Sequence, residues 1–201
     1  MRSLFRPAWP LVICVLALVS PGTARATQVQ ALTLPELVRR STTIVHGTVQ
    51  ETRTAWEDGR ARLYTYVTVS PLELVKGSSP AGRAITFRQL GGRDGDRIVY
   101  VPGTPRFSPR QEVLLFLTGN DAGGYPQIMG IFQGALRPAG GPGGLRRVEG
   151  ISPGASGSIL PEKAGGPGQP APEPALGGSF GDFMERIRTL VKDQAAGPAR
   201  R

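Results

Sequence analysis

Between Trp56 and Val69 the chain is made to turn back on itself. Asp58-Gly59 is the strongest short-range hairpin signal a sequence can carry, and it leads into Leu63-Tyr64-Thr65-Tyr66-Val67-Thr68-Val69. Seven β-formers in succession predict a strand, with Leu63, Thr65, Val67 and Val69 on one face and Tyr64, Tyr66 and Thr68 on the other. Further β-type segments run from Thr43 to Val49, Ala84 to Leu90, Arg97 to Val101, Glu112 to Leu117 and Gln127 to Leu136. Val113-Leu114-Leu115-Phe116-Leu117 is apolar at every position, so it should be a central strand covered on both faces. Gly130 and Gly134 interrupt the Gln127 to Leu136 segment and predict a bulge or sharp bend within it.

Helical signals stand at both ends. Thr33 can cap, Pro35 suits a first turn, Glu36 complements the helix dipole, and Leu34, Leu37 and Val38 make one apolar stripe. Near the C-terminus, Ser179 and Asp182 resemble a capping box, and Phe180, Phe183, Ile187, Leu190 and Val191 recur at helical spacing. An isolated helix of about fourteen residues is marginal in water, so this stripe must dock, either on the barrel or on a partner or membrane surface. The expected fold is mainly β: a small closed or partly open OB-like barrel of about five to seven strands, with an N-terminal helix and a docked C-terminal helix.

Residues 1–26 carry the three parts of a secretory signal: Arg2 and Arg6, the apolar run Leu11 to Val19, and Ala24-Arg25-Ala26 as a cleavage site. Nine apolar residues rise only about 14 Å as a helix, which is too short to span a bilayer. The expected organisation is a signal peptide at 1–26, an OB-like domain at 27–140, a Gly/Pro-rich flexible linker at 141–178, and a helix with a basic tail at 179–201. Ten of the eighteen residues from 161 to 178 are Gly or Pro, with too little apolar surface to offset the entropy of ordering. These features predict a protein exported to the periplasm or the extracellular space, with no transmembrane segment once the leader is removed.

The same cut constrains the chemistry. Cys14 lies in the leader, so 27–201 contains no cysteine and a single histidine, His46. Disulfides, thiolate catalysis and cysteine metal cages are thereby excluded from that part. Removing Arg2, Arg6 and Arg25 lowers the formal net charge from +9 to +6, and the remaining arginines are scattered singly or in pairs. Specific nucleic-acid binding is not expected from that distribution. His46 has no ligand motif or nucleophile elbow beside it, because Gly154-Ala155-Ser156-Gly157-Ser158 fails at its last position.

Asp94 and Asp96, in Gly91-Gly92-Arg93-Asp94-Gly95-Asp96, resemble part of a calcium loop but match neither standard pattern. Trp56, Tyr64 and Tyr66 flank one hairpin, and Arg88 approaches if the Ala84 strand pairs alongside. Such a set can stack sugars, bases or peptide side chains, or serve as cross-strand packing. Phe180, Phe183, Ile187 and Leu190 are the candidate docking residues of the tail. No cofactor is expected.

The order of these segments carries a resemblance. A helix precedes Thr43 to Val49, then Tyr64-Thr65-Tyr66-Val67-Thr68-Val69-Ser70-Pro71-Leu72-Glu73-Leu74-Val75-Lys76-Gly77, Val101-Pro102-Gly103 with Pro105 and Phe107, and Glu112 to Leu117. Over about residues 32–137 this resembles a group of uncharacterised secreted bacterial proteins, OB-like and distantly similar to netrin/TIMP-like inhibitor domains. TIMP-type inhibition uses an N-terminal cysteine to chelate the protease zinc, and that mechanism does not carry over to a chain without one. The resulting expectation is an exported, non-enzymatic binding or adaptor protein that engages a protein or cell-envelope component, a secreted protease among the candidates. The competing readings are a hydrolase using His46 or a carboxylate pair, and an extracellular calcium- or glycan-binding module.

Overall fold

The computed structural model describes residues 31–59, 61–79, 83–140, 145–151 and 179–196. The expected signal at 1–26, most of the expected linker and the end of the tail lie outside them. Helix α1, Leu34–Arg40, starts at a complete capping box: Thr33 N–H donates to Glu36 at 2.9 Å, and the Thr33 hydroxyl accepts from Glu36 N–H. The Thr33 N–H and the Thr33 hydroxyl, which donates to Glu36 Oε2 at 2.9 Å, together hold the Glu36 carboxyl below its ordinary range.

Strands β1 (Thr43–Glu57) and β2 (Arg62–Lys76) form one long hairpin, with positive φ at both Asp58 and Gly59. Its register slips at three places, between Ile44 and Val45, His46 and Gly47, and Val49 and Glu51. Bulges of this kind raise the local twist and bend the ribbon. At Gly47 the backbones approach so closely that a Cβ would stand 2.4 Å from the Ser70 carbonyl oxygen.

Strand β3 (Ile85–Leu90) pairs with β2, and β4 (Gly92–Asp94) pairs with β5 (Arg97–Val99) as a separate two-stranded sheet. Strand β6 (Glu112–Asn120) pairs with the other side of β1, and with β7 (Pro126–Ile128) and β8 (Ala135–Gly140). Strand β9 (Arg146–Gly150) adds to β8. The main sheet is antiparallel, seven-stranded and ordered β3-β2-β1-β6-β8-β9, with β7 on β6. It curls until β3 nears β7, but no hydrogen-bonded ladder joins the two and the sheet stays open.

The curl separates two apolar clusters, and β6 feeds both. Leu114 and Phe116 join Leu37, Val38, Ile44 and Leu136 on the helix side. Val113, Leu115 and Leu117 join Val45, Val67, Val69 and Phe87 within the curl. All five β6 residues are fully buried. Helix α2, Phe180–Ala196, lies on the first cluster with Phe180, Phe183, Met184 and Ile187 buried and Leu190 and Val191 packed at its edge. Arg188 grips Glu73 of β2 through two 2.7 Å hydrogen bonds, and Lys76 donates to Val38 O at 2.6 Å and to Gln194 at 2.9 Å.

Three expectations change. The segment Gln127 to Leu136 is not one bent strand but β7 and β8 separated by a tight loop, with positive φ at Gly130 and Ile131. Phe116 fixes this pinch, donating its N–H to Gly134 O at 2.8 Å and accepting from Met129 N–H at 2.9 Å. The strand from Arg97 ends at Val99 instead of Val101. The linker expected at 141–178 has β9 near its start, since pairing with β8 gives the polar run Arg146-Arg147-Val148-Glu149 its backbone partners.

Candidate binding cleft

The predicted aromatic–arginine set is partly brought together. Register places Tyr66 opposite Arg88, with Tyr64 two residues along β2. The Arg88 guanidinium carbon lies 4.2 Å from the Tyr64 ring centroid and 5.3 Å from that of Tyr125. Arg88 Nε donates to Asp121 Oδ2 at 2.6 Å, and a second guanidinium nitrogen pairs with Glu57, whose other oxygen accepts from the Tyr66 hydroxyl. Arg53 covers the Tyr66 ring at 4.2 Å.

Burial alone would raise the Asp121 carboxyl. Hydrogen bonds from Arg88, Tyr125 N–H, Gln127 and Gly123 N–H outweigh it and bring the pKa to about 2. The same contact with Asp121, helped by Glu57, raises the already high pKa of Arg88 against the opposing effect of burial. Gly123 lies against the guanidinium so closely that a Cβ there would overlap it. Tyr66 and Arg88 are buried. The cluster is an ionic bridge from the hairpin to the β6–β7 turn, across the seam where the sheet fails to close.

Trp56 stands apart from it. Its indole N–H donates to Asp94 Oδ2 at 2.7 Å. Thr54 and Thr65 hydroxyls donate to Arg93 O and Gly91 O, each at 2.7 Å. Gly92, at φ +147°, sits where a Cβ would meet the Thr65 oxygen at 2.6 Å. These contacts clamp the β4–β5 hairpin across the other face of the β1–β2 ribbon. Asp94 is engaged by Trp56, Asp96 is exposed, and no group of three metal-ligating side chains occurs among the described residues.

The clamp leaves a cleft of about 410 Å³, with Thr52, Thr65 and Gln89 on its floor and Tyr100, Arg106 and Phe107 around it. Leu90, Ile98 and Tyr100, 44, 58 and 61 % exposed, give it an apolar rim. Gln89 donates to Pro105 O at 2.7 Å, while its Oε1 is buried without a hydrogen-bond partner. A polar floor beneath exposed apolar side chains suits a ligand that presents both kinds of surface. Sequence reasoning missed this site. Gln89 neighbours Arg88 but points to the opposite face, and only the exposure of Ile98 and Tyr100 in three dimensions distinguishes them from core residues.

His46 occupies the helix side of the sheet, opposite Leu114 of β6. Its Nε2 pairs with Glu112 Oε1 at 2.7 Å, the Phe180 ring is tilted over it at 5.1 Å, and Arg146 reaches Glu112 at 2.5 Å. Burial opposes ionisation of Glu112, but Arg146 and His46 prevail and lower its pKa. Glu73, across the ribbon from His46, is lowered by Arg188. These groups join α2 to β1, β2, β6 and β9, and the cleft lies elsewhere.

No helix among the described residues is long and apolar enough to cross a membrane. Comparison with family models, curated proteins and solved structures finds no significant match to this chain.

Proposed function

We propose that the chain is an exported, non-enzymatic binding protein that engages a protein or cell-envelope component through the cleft beside Gln89. The observation that carries this reading is the exposed trio Leu90, Ile98 and Tyr100 around a polar floor. Exposed apolar side chains that converge on a cavity are the ordinary mark of a recognition surface. A partly open OB-like barrel of the netrin/TIMP-like kind is consistent with the curled antiparallel sheet and its two helices. A protease partner would have to be met by contact at the cleft, since residues 27–201 have no cysteine to offer a zinc.

Tyr100 and Ile98 are exposed, so Tyr100→Ala and Ile98→Ala should leave the melting temperature within a few degrees of the parent. The test compares envelope and supernatant components retained by the parent and by each variant. We expect specific components to be lost by the cleft variants and kept by His46→Gln. Retention unaffected by either cleft substitution overturns the reading.

A further inference from the structure

Apart from the exposed Glu51, the carboxylates of the main-sheet strands pair with arginines away from the cleft. Glu57 and Asp121 hold Arg88, Glu73 holds Arg188, Glu112 holds Arg146, and Glu149 faces Arg137 at 3.3 Å. Among the described residues, Arg93 and Arg106, which line the cleft, form no ion pair, and no Asp or Glu lines it. Arg106 also borders a second cavity, of about 520 Å³, lined by Arg110 and by Arg137, which Glu149 pairs, with no acid in the lining among the described residues. The two concave surfaces share Arg106, and Arg93, Arg106 and Arg110 form no ion pair among the described residues, a positive lining that attracts anions and speeds their encounter.

A second feature indicates the shape of the ligand. Strand β5 pairs with β4 on one edge, and its other edge has no strand partner among the described residues. Ile98 and Val99 of that strand, and Tyr100 and Val101 beyond it, line the cleft. An unpaired edge offers main-chain donors and acceptors to an extended chain, while apolar pockets beside it select alternate side chains.

We infer that the ligand is an extended acidic polypeptide. Its main chain adds to the β5 edge, an apolar side chain sits among Leu90, Ile98 and Tyr100, and its carboxylates meet Arg93 and Arg106. This rests on the cleft being the binding surface. An apolar rim and a strand edge favour a polypeptide over a polyanionic glycan, which would use the arginines alone.

Fluorescence anisotropy with the full chain tests it, using a labelled peptide that alternates glutamate with valine, its glutamine counterpart, and a heparin oligosaccharide. The glutamate peptide should bind, weaken steeply with salt, and lose about tenfold or more in affinity with Arg93→Gln plus Arg106→Gln. Lysine at both positions should restore part of the loss, the glutamine peptide should bind about tenfold more weakly, and Ile98→Asp should end binding of both peptides. Thermal melts of each variant confirm that the fold is retained.

Equal affinity for the two peptides, still abolished by Ile98→Asp, overturns the charge inference and leaves the cleft reading standing. Heparin binding lost with the two arginines, without peptide binding, overturns the polypeptide in favour of a glycan. Peptide binding unchanged by every variant overturns both the inference and the cleft. Absence of binding by all three probes overturns the inference.

Discussion

Arg88 and Gln89 are neighbours in sequence with opposite circumstances, because successive strand residues face opposite sides of a sheet. Arg88 is buried between Glu57 and Asp121, so Arg88→Met would leave two carboxylates without their cation. Breaking a buried pair from one side costs about 3–5 kcal/mol. Gln89→Met removes one hydrogen bond together with an unpartnered acceptor, so chemical denaturation should place it within about 1 kcal/mol of the parent. Similar losses for both would contradict the bridge. Asp121 adds a pH signature. Its folded pKa, about 2, lies below the ordinary 3.8, so its contribution is present above pH 4 and is lost as pH falls through the folded value. That contribution is about 2 kcal/mol. Denaturant midpoints measured from pH 5 to pH 2 should fall less steeply for Asp121→Asn than for the parent. The meeting of Tyr64, Tyr66 and Arg88 was legible from alternation along adjacent strands. Their partner Asp121 was not, because it arrives on a turn 33 residues away in sequence.

Elements whose signals are local matched their structures. The Thr33 cap, the Asp58-Gly59 turn and the wholly apolar run Val113–Leu117 within β6 each dictate a conformation through near neighbours. The segments that differ depend on distant partners. Strand β9 is polar and becomes a strand only because β8 offers an edge. Gly130 and Gly134 signal a departure from regular backbone, but whether bend or reversal follows is decided by Phe116 on β6. A Cβ on Gly134 would stand 2.7 Å from the Phe116 carbonyl oxygen, a contact with backbone that cannot swing aside. Gly134→Ala should therefore destabilise by about 1–3 kcal/mol through forced backbone displacement. Gly140→Ala, where a Cβ meets nothing within 4 Å, should be nearly neutral. Comparable melting temperatures for the two would refute the pinch.

On the scale of the whole molecule, the sheet has no closed interior, and its stability rests on covering both faces of β6 at once. The helix-side cluster needs α2, since Phe180, Phe183, Met184 and Ile187 cover Ile44, Leu114, Phe116 and Leu136. The inner cluster needs the curl that the bulged hairpin imposes and the Arg88 bridge holds. Because Leu115 and Phe116 are adjacent on one strand and face opposite clusters, neither cluster can melt without releasing backbone that the other requires. One cooperative transition is expected, which is the usual behaviour of a domain of this size. Phe116→Ala should cost about 3–5 kcal/mol and Leu115→Ala about 2–5, and each should lower one shared transition instead of creating a second. Phe183→Ala, on α2, should do the same. Hydrogen exchange followed by mass spectrometry supplies the decisive measurement, because it reads α2, β1 and β6 separately. If α2 opens with β1 and β6 in all three variants, its apolar stripe belongs to the core. Should α2 exchange early while β1 and β6 stay protected, the helix would be a detachable cover, and Ile44, Leu114 and Phe116 would form a second exposed apolar surface able to compete with the cleft for a partner.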